Sequence, residues 1–236
     1  PLCLIDNDQT KCGTSIMGIP VLSPESINWN LIQNVIIISD GFWEIKKQLD
    51  LYGVNPKSIS TPPKRFYRSG ALDTLENRIE ITKIISHLNQ KCIPHPVVCI
   101  YGTALGIVRD KDLIPWDDDV DLLTSTASRP KLIEELNKFS PGQQVSEFRH
   151  VYEIKITESV SLPVSIEIYD ENKLHHQQYC YGKSWVWDVS RFLLPEFHIV
   201  HASEICVPFN SEAYLQEVYG GSWNIPDPEF SINDYK

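Results

Sequence analysis

The chain has 236 residues, of which 42% are hydrophobic, and this is enough to bury the core of one large domain or two small ones. The formal net charge of -10 argues against sequence-independent binding to nucleic acid, so we expect no nucleic acid polymer as a partner. No apolar run approaches the ~18–20 residues that span a bilayer, and six cysteines without a CxxC pair favour reduced thiols in a cytoplasmic protein.

Residues 1–60 are predicted to form a partial Rossmann-like α/β segment, with strands at PLCLI, IPVLS and NVIIIS and a helix at DGFWEIKKQLDLYG. The segment resembles part of the Rossmann-like module of sugar-modifying enzymes, in which a strand ending in an acidic residue, here Asp6, meets a nucleotide. The glycine-rich turn that cradles a pyrophosphate is absent, because the chain begins after the position it would occupy. A packing or partner-docking module is therefore the alternative.

A domain boundary is placed in the Pro- and Ser-rich stretch VNPKSISTPPKRF, which separates residues 1–60 from a predicted catalytic domain at 61–236. In this second part, helices are expected at LDTLENRIEITKIISHLNQK, SRPKLIEELNKF and SEAYLQEVYGG. Strands are expected at PVVCIY, DVDLLTS, VYEIKI, LPVSIEIYD, YCYG and EICVPF. His175 and His176 are expected in a loop, without the spacing of a metal site.

Four aspartates occupy five positions in the stretch IPWDDDVDLL, namely Asp117, Asp118, Asp119 and Asp121. On a strand, Asp119 and Asp121 share a face, Asp117 lies one step earlier on it, and Asp118 points the other way. Two unit charges about 4 Å apart repel by roughly 4 kcal/mol at an effective dielectric near 20. Residues 115–128 contain no Lys, Arg or His, so the pattern predicts either a distant basic residue or a metal ion as the counter-charge.

An EF-hand calcium loop is excluded, because its sixth position would be Leu122 instead of Gly and its twelfth Ser128 instead of Glu. An all-oxygen site on a strand suits Mg²⁺ or Mn²⁺ holding substrate phosphates. Glu167 is predicted as a third carboxylate, because it lies within the apolar strand VSIEIYD, where an unpaired acid is costly. The alternatives are a surface-facing Glu167 and Asp170 as the third acid.

The stretch YGTALGIVR, whose Gly-Thr pair lies sixteen residues before Asp119, carries groups suited to a phosphate. Gly102 lets the backbone approach a phosphate closely, and the Thr103 hydroxyl can donate a hydrogen bond to it. The Arg109 guanidinium can bind a phosphate oxygen through two N–H groups. Further along, the aromatic residues of YGKSWVWDVSRF are predicted to pack in the core. The alternative is that they line a groove for the acceptor or surround a choline ammonium group through cation–π contacts.

The string YGTALGIVRDKDLIPWDDDVDLL is similar to the signature of the LicD family, which shares relatives with fukutin and belongs to the DNA polymerase β-like nucleotidyltransferase superfamily. The superfamily pattern is a Gly-Ser/Thr turn, a strand of the form D-h-D-h, and a third acid on a later strand. Here these are Gly102 and Thr103, Asp119 and Asp121, and Glu167, and the similarity covers about residues 66–228. Glu167 departs from the family, which commonly has Asp at that place.

The resemblance implies a nucleotidyltransferase-fold domain with a mixed sheet that moves phosphocholine, or a similar group, from a CDP-activated donor to a cell-surface glycan or its precursor. Asp119, Asp121 and Glu167 would be the catalytic residues and the ligands of Mg²⁺ or Mn²⁺. The implied substrate-binding residues are Gly102, Thr103, Arg109 and Asp117. A catalytically inactive nucleotide or sugar-phosphate binding module is the alternative. Phosphocholine, phosphoethanolamine, phosphoglycerol and phosphoribitol all fit the pattern equally.

Overall fold

The computed structural model describes residues 2–39, 42–60, 70–92, 94–140, 142–146, 149–156, 160–180 and 183–227, with backbone only at 42–43 and 143–146. The chain forms two compact units, Pro1–Pro62 and Pro63–Lys236. Both contain helices together with parallel and antiparallel strand pairs, so the predicted mixed α/β class is confirmed. In the described ranges, every helix is too short or too polar to traverse a lipid bilayer.

The first unit is built from short strands and one helix. Strands β1 (Leu4–Ile5), β2 (Ser15–Ile16) and β3 (Ile19–Leu22) form a sheet in the order β1-β3-β2, in which β1 runs parallel and β2 antiparallel to β3. Strands β4 (Val35–Ile36) and β5 (Ile59–Ser60) pair in parallel, and α1 (Phe42–Leu51) lies between them in sequence. This is the connection that parallel strands require. The Rossmann-like identity of the unit stays a prediction.

The second unit begins with helix α2 (Leu75–Lys91), which the sequence predicts. Its N-terminus is capped by Thr74, whose Oγ1 accepts a hydrogen bond from the Asn77 amide at 3.2 Å. The helix buries Ile81, Ile85 and Leu88 in the core of the unit. Two further helices, α3 (Tyr101–Leu105) and α4 (Arg129–Leu136), follow it along the chain.

A five-stranded mixed sheet runs in the order β6-β7-β10-β9-β8. Its strands are β6 (Val98–Cys99), β7 (Val120–Ser125), β8 (Gln143–Ser146), β9 (Arg149–Lys155) and β10 (Ser161–Tyr169). Strands β7 and β10 pair in parallel, and all other neighbours pair antiparallel, so the predicted mixed sheet is confirmed. Asp121 and Glu167 therefore lie on adjacent parallel strands, and the other three aspartates of the acidic stretch directly precede β7.

Two hairpins and two helices complete the described part of this unit. The hairpins are β11 (His175–Cys180) with β12 (Lys183–Asp188), and β13 (Glu196–Val200) with β14 (Ser203–Val207). The helices are α5 (Ser190–Leu193) and α6 (Ser211–Tyr219). Because β11 starts at His175, the prediction of a loop for His175 and His176 is wrong. Trp187 and Phe192 are buried in the core, which agrees with the packing role predicted for the aromatic stretch.

Candidate active site

The candidate site is organised by the tight turn between β6 and α3. Tyr101 opens α3 with a φ of 46°, in the left-handed region that residues other than glycine seldom adopt. Its amide donates a hydrogen bond to the Tyr214 hydroxyl at 3.3 Å. The turn thereby presents the next two residues, Gly102 and Thr103, to the segment that leads into β7.

Gly102 lies against the carboxylate of Asp117. A Cβ atom at position 102 would come closer to Asp117 Oδ2 than real Cβ atoms approach, so a larger residue would displace the acid. Asp117 is only 7% exposed, and its amide donates to the Ile114 carbonyl at 3.1 Å. The glycine therefore makes room for a carboxylate, while its predicted contact with a phosphate stays a prediction.

Thr103 holds the backbone of Asp121. Its Oγ1 accepts a hydrogen bond from the Asp121 amide at 2.9 Å, and the Asp121 carbonyl accepts one from the Ile100 amide at 3.1 Å. Thr103 is buried, so this hydrogen bond is shielded from water. The side chain predicted to meet a phosphate thus fixes one of the candidate metal ligands in place.

Three aspartates come together just before β7. Asp117, Asp118 and Asp119 each offer a carboxylate oxygen, and these oxygens all lie within 4.8 Å of one another. Because β7 begins only at Val120, strand alternation does not apply here, and the prediction that Asp118 points away from its neighbours is wrong. An all-carboxylate set suits a hard divalent cation such as Mg²⁺ or Mn²⁺, so the donor chemistry fits the predicted metal.

Asp121 and Glu167 lie on one face of the central sheet. The parallel register of β7 and β10 places Ser165 opposite Asp121, and Glu167 follows two residues later. Asp170, the alternative third acid, instead closes a turn in which its Oδ1 accepts a hydrogen bond from the Asn172 amide at 3.0 Å. Asp170 is thus engaged in its own turn, whereas Glu167 shares the sheet face of Asp121, and Glu167 as the third acid stays a prediction.

The surroundings of Glu167 disfavour a negative charge overall. Burial raises the pKa of Glu167 to about 7, although the positive charge of Arg149 and hydrogen bonding by Gln178 and by the Tyr101 side chain act in the opposite direction. Gln178 Nε2 donates to Glu167 Oε2 at 3.2 Å. A buried carboxyl group with a raised pKa is a candidate functional group.

His176 also faces this carboxyl group. Its Nε2 lies 4.0 Å from Glu167 Oε2, and burial lowers the pKa of His176 to about 4. The imidazole is therefore neutral at neutral pH and does not act as a counter-charge. The strand predicted at YCYG covers only the last two residues of β11. Hydrophobic alternation does not reveal its first part, because the more buried positions there are His176 and Gln178, which are polar.

Arg149 brings a positive charge to the same face of the sheet. It pairs in register with Glu167 across β9 and β10, and one guanidinium nitrogen donates to Ser165 Oγ at 3.3 Å. The residue is exposed, and a guanidinium has five N–H donors, so donors remain for an incoming anion. No sequence motif marks Arg149, since its position depends on the register of two strands.

Arg109, the arginine predicted to bind a phosphate, is engaged locally. Its Nε and Nη2 donate to the two carboxylate oxygens of Asp110 at 2.8 and 2.7 Å. The side chain is 7% exposed, which limits its access to a ligand. This bidentate ion pair occupies the same guanidinium N–H groups that would bind a phosphate.

Asp6, the acid expected to meet a nucleotide in the first unit, also closes its own turn. Its carboxylate accepts hydrogen bonds from Lys11 Nζ at 2.8 Å and from the Asp8 amide at 2.9 Å. These bonds hold the pKa of Asp6 below its usual value. A nucleotide hydroxyl would therefore compete with Lys11 for this carboxylate.

Comparison with known proteins points to the second unit. A family described as "LicD/FKTN/FKRP, nucleotidyltransferase domain" matches residues 96–209, a range that contains the aspartates and Glu167. No curated protein matches the chain. Among solved structures, an antigenic nucleotidyltransferase-like protein from Paracoccidioides brasiliensis is similar, with 14% identity and a TM-score of 0.31. That match covers 55% of this chain and 60% of the other, which is less than two thirds of its length.

Proposed function

We propose that this chain transfers a phospho-group from a nucleotide-activated donor to a hydroxyl group, because residues 96–209 match the nucleotidyltransferase domain of the LicD/FKTN/FKRP family. The proposed donor is CDP-activated, the group is phosphocholine or a similar one, and the acceptor is a cell-surface glycan or its precursor. One observation carries the proposal: Asp121 of β7 shares a sheet face with Glu167 of the parallel strand β10, and three more carboxylates lie together immediately before β7.

The proposed cofactor is Mg²⁺ or Mn²⁺. Asp119, Asp121 and Glu167 are the proposed ligands, and the buried Asp117 adds an oxygen within 4.8 Å of an Asp119 oxygen. When bound, the cation neutralises the charge of the donor diphosphate and of its leaving oxygen. Carboxylate oxygens are the ligands that both ions prefer.

The residues around the acids divide the remaining work. Arg149 is proposed to donate hydrogen bonds to a non-bridging phosphate oxygen, because it is exposed and stands opposite Glu167. The acceptor hydroxyl forms a new bond to phosphorus, and the bond between that phosphorus and the nucleoside monophosphate breaks. Glu167 either holds the metal or takes the proton of the hydroxyl, which otherwise passes to solvent.

A thermal-shift screen tests the proposal, using CDP-choline, CDP-glycerol, CDP-ribitol and UDP-sugars, each with and without Mg²⁺. We expect a CDP-activated donor to raise the melting temperature only when Mg²⁺ is present. Asp119→Asn and Asp121→Asn should abolish both this shift and the release of CMP. The matched control is Asp188→Asn, which keeps the oxygen that accepts a hydrogen bond from the Ser190 amide at 2.8 Å.

Two outcomes would contradict the proposal. A fully active Asp121→Asn protein would remove the role of the acidic strand. Ligand binding that needs no metal and survives loss of both aspartates would instead support a catalytically inactive nucleotide or sugar-phosphate binding module.

A further inference from the structure

A buried chain of hydrogen bonds runs through the second unit and ends at Glu167. The Tyr101 amide donates to the Tyr214 hydroxyl at 3.3 Å, and that hydroxyl donates to Gln178 Oε1 at 3.5 Å. Gln178 Nε2 then donates to Glu167 Oε2 at 3.2 Å. Tyr214 is 0% exposed and Gln178 is 1% exposed, so water does not replace these partners readily.

The donor and acceptor groups give this chain of hydrogen bonds one direction, from the Tyr101 amide to Tyr214 and from Gln178 to Glu167. When Glu167 is ionised it only accepts hydrogen bonds, so the Gln178 nitrogen then faces Glu167 and its oxygen faces Tyr214. The Tyr214 hydroxyl can donate one bond and can accept the bond from the Tyr101 amide at the same time. Each of these contacts therefore helps to determine the orientation of the next.

The two ends of the chain lie in the two halves of the candidate site. Tyr101 directly precedes Gly102 and Thr103, which accommodate the Asp117 carboxylate and hold the Asp121 backbone. Glu167 supplies the acid of the neighbouring strand β10. Tyr214 lies on α6, beyond residues 96–209 that match the family, so this helix contributes a contact from outside the matched region.

We propose that Gln178 and Tyr214 are positioning residues that couple Glu167 to the turn carrying Gly102 and Thr103, so that the acids of both strands keep one relative geometry. This inference rests on the proposed function. Neither residue touches the transferred group in this account. They act by orienting the Glu167 carboxylate and the Tyr101 peptide, in the way that residues behind a metal ligand commonly do.

Tyr214→Phe tests the coupling, because it removes one hydroxyl and keeps the ring that packs against Trp187 at a centroid distance of 4.9 Å. Tyr219→Phe is the matched control, a buried tyrosine of the same helix whose hydroxyl is not part of this chain. We expect Tyr214→Phe to weaken Mn²⁺ binding, measured by calorimetry without donor, about tenfold. We also expect kcat to fall about tenfold while the KM of the CDP-activated donor changes less than about twofold.

Gln178→Met gives a second test, because it breaks the link to Glu167 and keeps the length of the side chain. If Gln178 and Tyr214 act through the same chain of hydrogen bonds, the protein that carries both Tyr214→Phe and Gln178→Met should lose about as much Mn²⁺ affinity as the weaker-binding single variant. Strictly additive losses would overturn the coupling. If Tyr214→Phe does not fold, as judged by circular dichroism, an unchanged Mn²⁺ affinity in Gln178→Met overturns the proposal.

The outcomes separate this inference from the proposed function. If the wild-type protein binds Mn²⁺ and turns over a donor, and Tyr214→Phe matches Tyr219→Phe in affinity and kcat, only the positioning role is overturned. If the wild-type protein binds Mn²⁺ but turns over none of the donors, the proposed function fails and the affinities still decide the coupling. A wild-type protein that does neither overturns both.

Discussion

The amide of Asp121 donates a hydrogen bond to the side-chain oxygen of Thr103 at 2.9 Å, and this contact joins α3 to the start of strand β7. Thr103 is buried, so water cannot take its place without rearrangement. The threonine of the Gly-Thr pair thus has a structural task in this chain, which places Asp121 beside Ser165 of β10.

Replacing Thr103 by Val should therefore destabilise the protein. The two side chains have nearly the same volume, but Val leaves the Asp121 amide without its acceptor, which costs about 1–3 kcal/mol. Urea unfolding measures this loss, and Mg²⁺ titration should show weaker binding by the same variant. Thr103→Ser keeps the oxygen and should stay much closer to wild type. Equal unfolding free energies for the Val and Ser variants would contradict this account.

Gly102→Ala should weaken metal binding by moving Asp117. A methyl group at position 102 meets Asp117 Oδ2 at a distance that real Cβ atoms do not show, so the carboxylate must shift. We expect Mn²⁺ affinity to fall about tenfold. Gly221→Ala is the control, because a Cβ there meets nothing within 4 Å. Identical Mn²⁺ affinities for the two variants would show that Asp117 has no part in the metal site.

The acidic strand and its family were predictable from the sequence because their signals are local. The apolar residues of β7 and the Gly-Thr pair before it are contiguous, and the similarity to the LicD family is confirmed by the match at residues 96–209. Asp118 was placed wrongly for an equally local reason. The strand starts one residue after Asp119, so its alternation does not extend back to Asp118.

The rest of the site depends on long-range pairing that sequence periodicity does not encode. Arg149 reaches Glu167 only through the register of β9 against β10. Strand β11 buries Gln178 and partly buries His176, so it lacks the apolar alternation by which strands are recognised. Tyr214 reaches Tyr101 across more than one hundred residues, with a sequence separation of 113.

Arg149→Gln should raise the KM of the nucleotide donor more than it lowers kcat. The variant removes the positive charge opposite Glu167 and the N–H groups proposed to bind a phosphate oxygen. The expected rise in KM is about tenfold. Lys83→Gln on the exposed surface of α2 is the control for net charge. If Arg109→Gln raises KM and Arg149→Gln does not, then the phosphate contact belongs to Arg109, as first predicted from the sequence.

Glu167→Gln and Asp170→Asn should separate the two candidates for the third acid. The Gln side chain keeps the size of Glu but removes the negative charge and the proton acceptor, so donor turnover should fall at least about a hundredfold. Asp170→Asn keeps an oxygen for the Asn172 amide, so its turn should persist. Single-turnover release of CMP measures both variants. Loss of turnover in Asp170→Asn together with an active Glu167→Gln protein would transfer the role to Asp170.

An ion pair outside the site should make stability depend on pH. Asp112 accepts hydrogen bonds from Arg78 Nε at 2.8 Å and from the Leu113 amide at 2.7 Å, and His201 Nε2 lies 2.7 Å from its Oδ1. Burial alone would raise the pKa of Asp112, but these interactions outweigh it, and the pKa is lowered from 3.8.

A carboxyl group with a lowered pKa stabilises the fold above its unfolded pKa, and this contribution is lost as pH falls through the folded value. Asp112→Asn should therefore cost about 2 kcal/mol at neutral pH, since both Asp112 and Arg78 are largely buried, with side-chain exposures of 21% and 12%. The difference from wild type should shrink as pH falls below the unfolded pKa of about 4 and through the lower folded pKa of Asp112. Urea unfolding of both proteins across this range measures it. A difference that stays constant with pH would mean that the charge of Asp112 contributes nothing and that only its hydrogen-bond geometry matters.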